Sequence, residues 1–178
     1  MTKPGILYHA SPNKNIDVFE PRNEHVRDIN EGPVVFATPH VDLASCFLFE
    51  NDDSWVSISR FNSVQVIIVS DRERFEREDH GGVIYELPSD TFVHEIRGGA
   101  KDEWTSRVSV KPTGKTEYKS ALEAMLEHGV QVYFVDKSIF VKINNSKDNG
   151  MATLRTLDSE NSVKNVNIKE LPKGDFGE

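Results

Sequence analysis

Three short runs place chemically capable residues where strands should end. Tyr8-His9-Ala10-Ser11 closes the apolar run Gly5-Ile6-Leu7, and Pro12 follows, which cannot continue a pairing ladder. His9 is therefore expected at a strand terminus, where an imidazole serves as acid, base or hydrogen-bond partner near neutral pH. Val35-Phe36-Ala37-Thr38 has the same design, an apolar run halted by Pro39. Asp102-Glu103-Trp104-Thr105-Ser106 offers a carboxylate, Glu103, in a segment that alternates in polarity as far as Val110. Each has a plainer role to weigh. A glutamate in an alternating strand is ordinarily solvated, Phe36 inside Val-Val-Phe-Ala is ordinarily core, and Trp104, facing away from Glu103, is read as packing.

Several elements must hold these runs. Residues 13–31 read as a long polar loop with at most a turn or two of helix, anchored by Ile16, Val18 and Phe19. His40 to Phe49 carries Val41, Ala44, Phe47 and Leu48 at helical spacing. Trp55–Ser59 and Val64–Val69 read as strands, Asp71–Gly82 as a charged connection, and Val83–Leu87 as a strand that Thr91–Ile96 pairs with. Glu117–His128, ended by Gly129, is the best amphipathic helix, with Tyr118, Ala121, Leu122, Met125 and Leu126 on one face. Val130–Val135 and Ser138–Ile143 read as a hairpin turning at Asp136-Lys137, and Thr153–Leu157 as one further strand. The sum is an α+β fold, mostly antiparallel, with a few short helices. Residues 1–143 form the expected domain and 144–178 a polar, partly flexible extension, frayed from Gly174 onward.

Composition narrows the class. The chain of 178 residues is 37% hydrophobic and 28% charged, which suits one soluble globular domain. No apolar run approaches the about 20 residues that span a bilayer, and the N-terminus lacks a signal-peptide core, so a cytoplasmic protein without membrane association is expected. Net charge is −8, with pI about 5.3, which disfavours nucleic-acid binding through a broad basic surface. Cys46 stands alone and is expected to be buried and inert. His25, His40, His80, His94 and His128 are scattered without ligand spacing, so no metal is expected.

Taken in order, the three runs resemble the ADP-ribosyltransferase-like fold of NAD-using enzymes, in the branch whose site reads histidine, aromatic, glutamate. Tyr-His-Ala-Ser, Phe-Ala-Thr before a helix, and Glu103 on a late strand carry the likeness. Tyr85-Glu86-Leu87-Pro88, Phe92 and Val110-Lys111-Pro112 add a likeness to bacterial members of this fold. The resemblance covers residues 5–112, extending to about 143, and implies a split β-sheet core.

It also implies a reaction. Cleaving the nicotinamide–ribose bond of NAD passes through an oxocarbenium-like cation, which a nearby carboxylate stabilises. Glu103 takes that catalytic role. Phe36 or Tyr8 would stack on nicotinamide, a strand end at His9-Ala10 would meet its amide, and His9 would contact ribose hydroxyls. Ser11 and Thr38 are supporting hydroxyls, and Arg22, Arg27 or Arg60 would meet the pyrophosphate. NAD is thus a substrate, with protein, nucleic acid, a small molecule or water as acceptor, and a toxin-like setting would add a neutralising partner protein. Two departures stand out. The aromatic position is Phe36, without a phenolic hydroxyl, and Lys101 occupies the place two before Glu103 where arginine-modifying members carry Glu or Gln. Both favour the rival reading, a binding module without turnover. A second rival is a small nuclease-type toxin using His9 as general acid or base.

Overall fold

A computed structural model describes residues 3–23, 32–61, 63–94, 101–146, 150, 152–154 and 164–165. In chain order its elements are β1 (Ile6–Ser11), β2 (Val35–Ala37), α1 (Val41–Ser45), β3 (Val56–Phe61), β4 (Val64–Val69), α2 (Arg72–Glu78), β5 (Gly82–Pro88), β6 (Trp104–Ser106), β7 (Gly114–Tyr118), α3 (Ala121–Glu127), β8 (Gln131–Phe134), α4 (Lys137–Asn144) and β9 (Lys164–Asn165). This is a mixed α+β chain of mostly antiparallel sheets and short helices. The strands form three sheets, ordered β1-β5-β7, β2-β6 and β3-β4-β8-β9. Among the described residues only β4 and β8 run parallel. Among the described residues no helix is long and apolar enough to cross a membrane.

Strand alternation divides the core. Leu7, Val83, Tyr85 and Leu87 meet Val35, Ala37, Phe92 and Trp104 in one cluster. On the opposite side of the same strands, Tyr8, Ala10 and Ile84 meet the larger cluster of Leu48, Trp55, Val69, Phe75 and Met125. Phe75 is fully buried, and its ring lies edge-on to Phe49 and Phe134 at 4.9 and 5.4 Å.

Several elements differ from the sequence expectation. Helix α3 begins at Ala121, not Glu117. Ser120 is its N-cap, accepting from the Glu123 N–H at 3.0 Å, and Glu117 and Tyr118 belong to β7, which pairs with β5. Residues 138–143 are helical within α4 and form no hairpin strand, because Phe140 and Ile143 are buried at helical spacing while Val141 is exposed. The charged connection contains α2, capped by Asp71, whose side chain accepts from the Arg74 N–H. Helix α1 covers only 41–45 of the expected 40–49. Strand β6 stops at Ser106, whose Oγ turns back to donate to the Val108 carbonyl at 3.0 Å, so Val110 pairs with Phe19 instead. Val93 pairs with Thr105 and not with β5, and 95–96 lie outside the described residues. Residues 13–23 hold no helix, and 24–31 lie outside the description. Residues 152–154 are helical where a strand was expected, and 155–157 fall outside. Past residue 143, Leu154 is fully buried and β9 pairs with β8.

Asp79 joins two of these pieces. Its Oδ1 accepts from the Ala121 N–H and, at 3.2 Å, from the Gly81 N–H, while Oδ2 accepts from the Leu122 N–H at 3.1 Å. The Ala121 and Leu122 N–H groups are first-turn donors of α3 that no helical carbonyl reaches. Asp79→Ala is expected to cost about 1–2 kcal/mol. It should lower the urea midpoint with the m-value unchanged, and Asp79→Asn should recover part of the loss.

Candidate functional site

Strands β1 and β2 touch at a single rung. The Tyr8 N–H donates to the Thr38 carbonyl at 2.7 Å and the Thr38 N–H to the Tyr8 carbonyl at 3.0 Å, an isolated bridge. Backbone groups alternate sides along a strand, so Tyr8 and Ala10 face β2 while His9 pairs with Tyr85 of β5. The next rung would join Ala10 to Phe36, and there the strands have parted. Among the described residues no backbone group meets the N–H and C=O of Ala10 on that side.

The His9 side chain fixes the width of this opening. Its Nδ1–H donates to the Phe36 carbonyl at 2.7 Å. A carbonyl only accepts, so the proton sits on Nδ1 and Nε2 keeps its lone pair. The ring packs on Phe19 with centroids 4.6 Å apart, and Phe19 lies edge-on to Tyr85 at 5.1 Å. The Tyr85 hydroxyl accepts from the Ile16 N–H at 3.1 Å and donates to the Asn13 carbonyl at 2.8 Å, which ties down the loop after β1.

Burial holds the His9 pKa below its ordinary 6.5, against the bond to Phe36, and the Arg22 cation adds to the lowering. The folded protein therefore carries His9 neutral where an unfolded chain would begin to take up a proton. Stability from this group is complete above pH 6.5 and is lost as pH falls through the lowered value. A thermal melt series from pH 7.5 to about pH 5 should show a falling Tm. His9→Gln, whose amide still donates to Phe36, should flatten that fall.

Strand β2 passes the site on to β6. Phe36 lies opposite Thr105 and Ala37 opposite Trp104, and Thr105 pairs onward with Val93. Cross-strand partners share a face, so Phe36 and Thr105 look to the side of Tyr8 and Ala10, away from the cluster that holds Leu7, Ala37 and Trp104. Glu103, half-buried, directly precedes β6. Thus Tyr8, Ala10, Phe36 and Thr38 gather on one side of the opening.

His9 and Ser11 lie on the other side, with Leu7. His9 reaches the opening through its bond in the plane of the strands. The Ser11 Oγ accepts from the Asn13 N–H at 3.1 Å and so shapes the turn after β1. Trp104 is buried and stacks on His94 at 5.0 Å.

Sequence reasoning missed a polar chain beside this site. The His40 Nε2 is 3.4 Å from the Asp102 Oδ1, the Asp102 Oδ2 is 3.7 Å from the Arg60 Nε, and the Arg60 Nη2 is 2.6 Å from the Asp42 Oδ1. Arg60 is thereby engaged with two carboxylates and is poorly disposed toward a third anion. Arg22, whose backbone pairs with Val34, is near enough to act on His9, and Arg27 lies outside the described residues. Cys46 is fully buried, and that burial pushes its thiol pKa up, so it stays protonated. Among the described residues no three His, Cys, Asp or Glu side chains cluster to hold a metal. Comparison with protein-family models, curated proteins and solved structures finds no match to this chain.

Proposed function

We propose that the chain is an NAD-cleaving enzyme of the ADP-ribosyltransferase-like class, working in the cytoplasm and passing ADP-ribose to an acceptor or to water. The observation that carries this reading is the parting of β1 and β2 after Tyr8–Thr38. The gap between the β1-β5-β7 and β2-β6 sheets supports the split core of that fold. Nicotinamide is flat and carries an amide that needs one donor and one acceptor. Ala10 supplies both from its backbone, and Phe36 and Tyr8 supply aromatic faces on the same side.

The other residues take roles that fit their states. Neutral His9, with Nδ1–H held by Phe36, has at Nε2 an acceptor suited to a ribose hydroxyl. Arg22 replaces Arg60 as the residue for the pyrophosphate. Glu103 faces the ribose, where its carboxylate stabilises the positive charge that grows at C1′ as the glycosidic bond lengthens. Nicotinamide, a cation within NAD, leaves neutral with the bonding electron pair.

The placement is tested by two-dimensional amide spectra recorded as NAD, and separately nicotinamide, is added. The Ala10 and Phe36 amides should shift together and saturate. A titration that moves neither overturns the placement.

A further inference from the structure

We propose that His40 is the general base that activates the acceptor, and that this acceptor carries a hydroxyl group. The inference rests on the reading of the Glu103 side as the place where NAD is cleaved. It comes from a juxtaposition of four elements that the cleavage step does not use.

The chain turns at Thr38-Pro39-His40, where the His40 N–H donates to the Thr38 Oγ1 at 3.2 Å. His40 is thus fixed one turn beyond the Tyr8–Thr38 rung. Its Nε2 lies 3.4 Å from the Asp102 Oδ1, and Asp102 is the chain neighbour of Glu103. Asp102 is held in turn by Arg60 of β3, and Arg60 by Asp42 of α1. A proton carried on Nε2, the nitrogen nearer Asp102, would leave the lone pair of His40 on Nδ1. The side chain is 39% exposed, so an acceptor arriving from solvent can reach it. This is a base oriented by a carboxylate, the arrangement that serves when a weak nucleophile must lose a proton as it attacks.

Asp102 faces His40, Arg60 and Asp42 lie behind Asp102, and Lys101, exposed, directly precedes Asp102. The Lys101 carbonyl is hydrogen-bonded to the His94 Nε2 at 2.8 Å, which fixes that turn. A hydroxyl is a nucleophile of that weak kind, since it must lose its proton as it attacks. In the step, the C1′–N bond to nicotinamide breaks with its electron pair leaving on nicotinamide, a C1′–O bond forms, and the hydroxyl proton passes to His40 Nδ1. Asp102 is a positioning residue for that ring.

The test uses the full chain with NAD in water and in buffered methanol, the simplest hydroxyl probe, measuring nicotinamide, ADP-ribose and methyl ADP-ribose separately. Wild type is expected to form both sugar products. His40→Ala should bind NAD with unchanged Kd and lose about 10²-fold in product formation. Added imidazole should restore turnover in His40→Ala, which a structural role would not allow. Asp102→Asn should lower the rate less than His40→Ala. Full activity in His40→Ala, or a loss that imidazole leaves untouched, overturns the inference and leaves NAD cleavage standing. A wild type that binds NAD and releases nicotinamide yet yields neither sugar product overturns hydroxyl activation alone. A wild type that neither binds nor cleaves NAD overturns the parent reading, and this one with it.

Discussion

Glu103→Gln is expected to slow nicotinamide release from NAD by about 10²–10³-fold, with the Kd for NAD changed by no more than about threefold. Glutamine keeps the shape of glutamate and can still bond a ribose hydroxyl, so ground-state binding survives. What it lacks is the negative charge, and that charge is needed only as C1′ becomes cationic. The loss should therefore fall on kcat and leave KM nearly unchanged. Glu103→Asp keeps the charge but withdraws it by one methylene, and should fall between the two. A glutamate that served only as a solvated strand residue would give wild-type rates in both variants.

The second large effect concerns the framework. Gly81 has φ +67°, and a Cβ built there would lie 2.3 Å from the Tyr118 carbonyl oxygen and 2.5 Å from the Lys119 carbonyl carbon. Both are backbone atoms at the junction of β7 and α3, so no side-chain rotation relieves the contact. Gly81→Ala should cost about 3 kcal/mol or more, combining left-handed backbone strain with the collision, out of the 5–15 kcal/mol of a typical domain. The consequence reaches the site, because Gly81 leads into β5, whose register with β1 sets His9 opposite Tyr85. Gly5→Ala is the control. Nothing lies within 4 Å of a Cβ at Gly5, so the melting temperature should stay within a degree or two of wild type. Equal losses in the two variants would contradict the argument.

What could be read from the sequence follows from which signals are local. Strands β1 and β2 were legible because each is an apolar run cut off by a proline. Helix α4 was misread as a strand because Ile139, Val141 and Ile143 alternate along it, and only the burial of Phe140 with Ile143 reveals the helical face. The start of α3 was blurred because Tyr118, the last residue of β7, happens to extend the helical spacing of Ala121, Leu122 and Met125. Ser120 with Glu123 was the better signal, a capping residue three before an acidic one. Helix α2 has Phe75 as its sole buried residue, too little periodicity to register.

The site was legible as residue types and not as geometry. His9, Phe36 and Glu103 could be picked out in order, but nothing local places the His9 ring on the Phe36 carbonyl or leaves Ala10 facing a gap. The Asp42–Arg60–Asp102–His40 chain draws on residues up to 62 positions apart, so its members looked like separate surface charges.

The most direct measurement is nicotinamide release from NAD by the purified wild-type chain, followed by chromatography alongside NAD binding in the same samples. Saturable NAD binding and nicotinamide release above the spontaneous rate are expected. Failure to bind NAD, with nicotinamide appearing no faster than in buffer, would contradict that expectation.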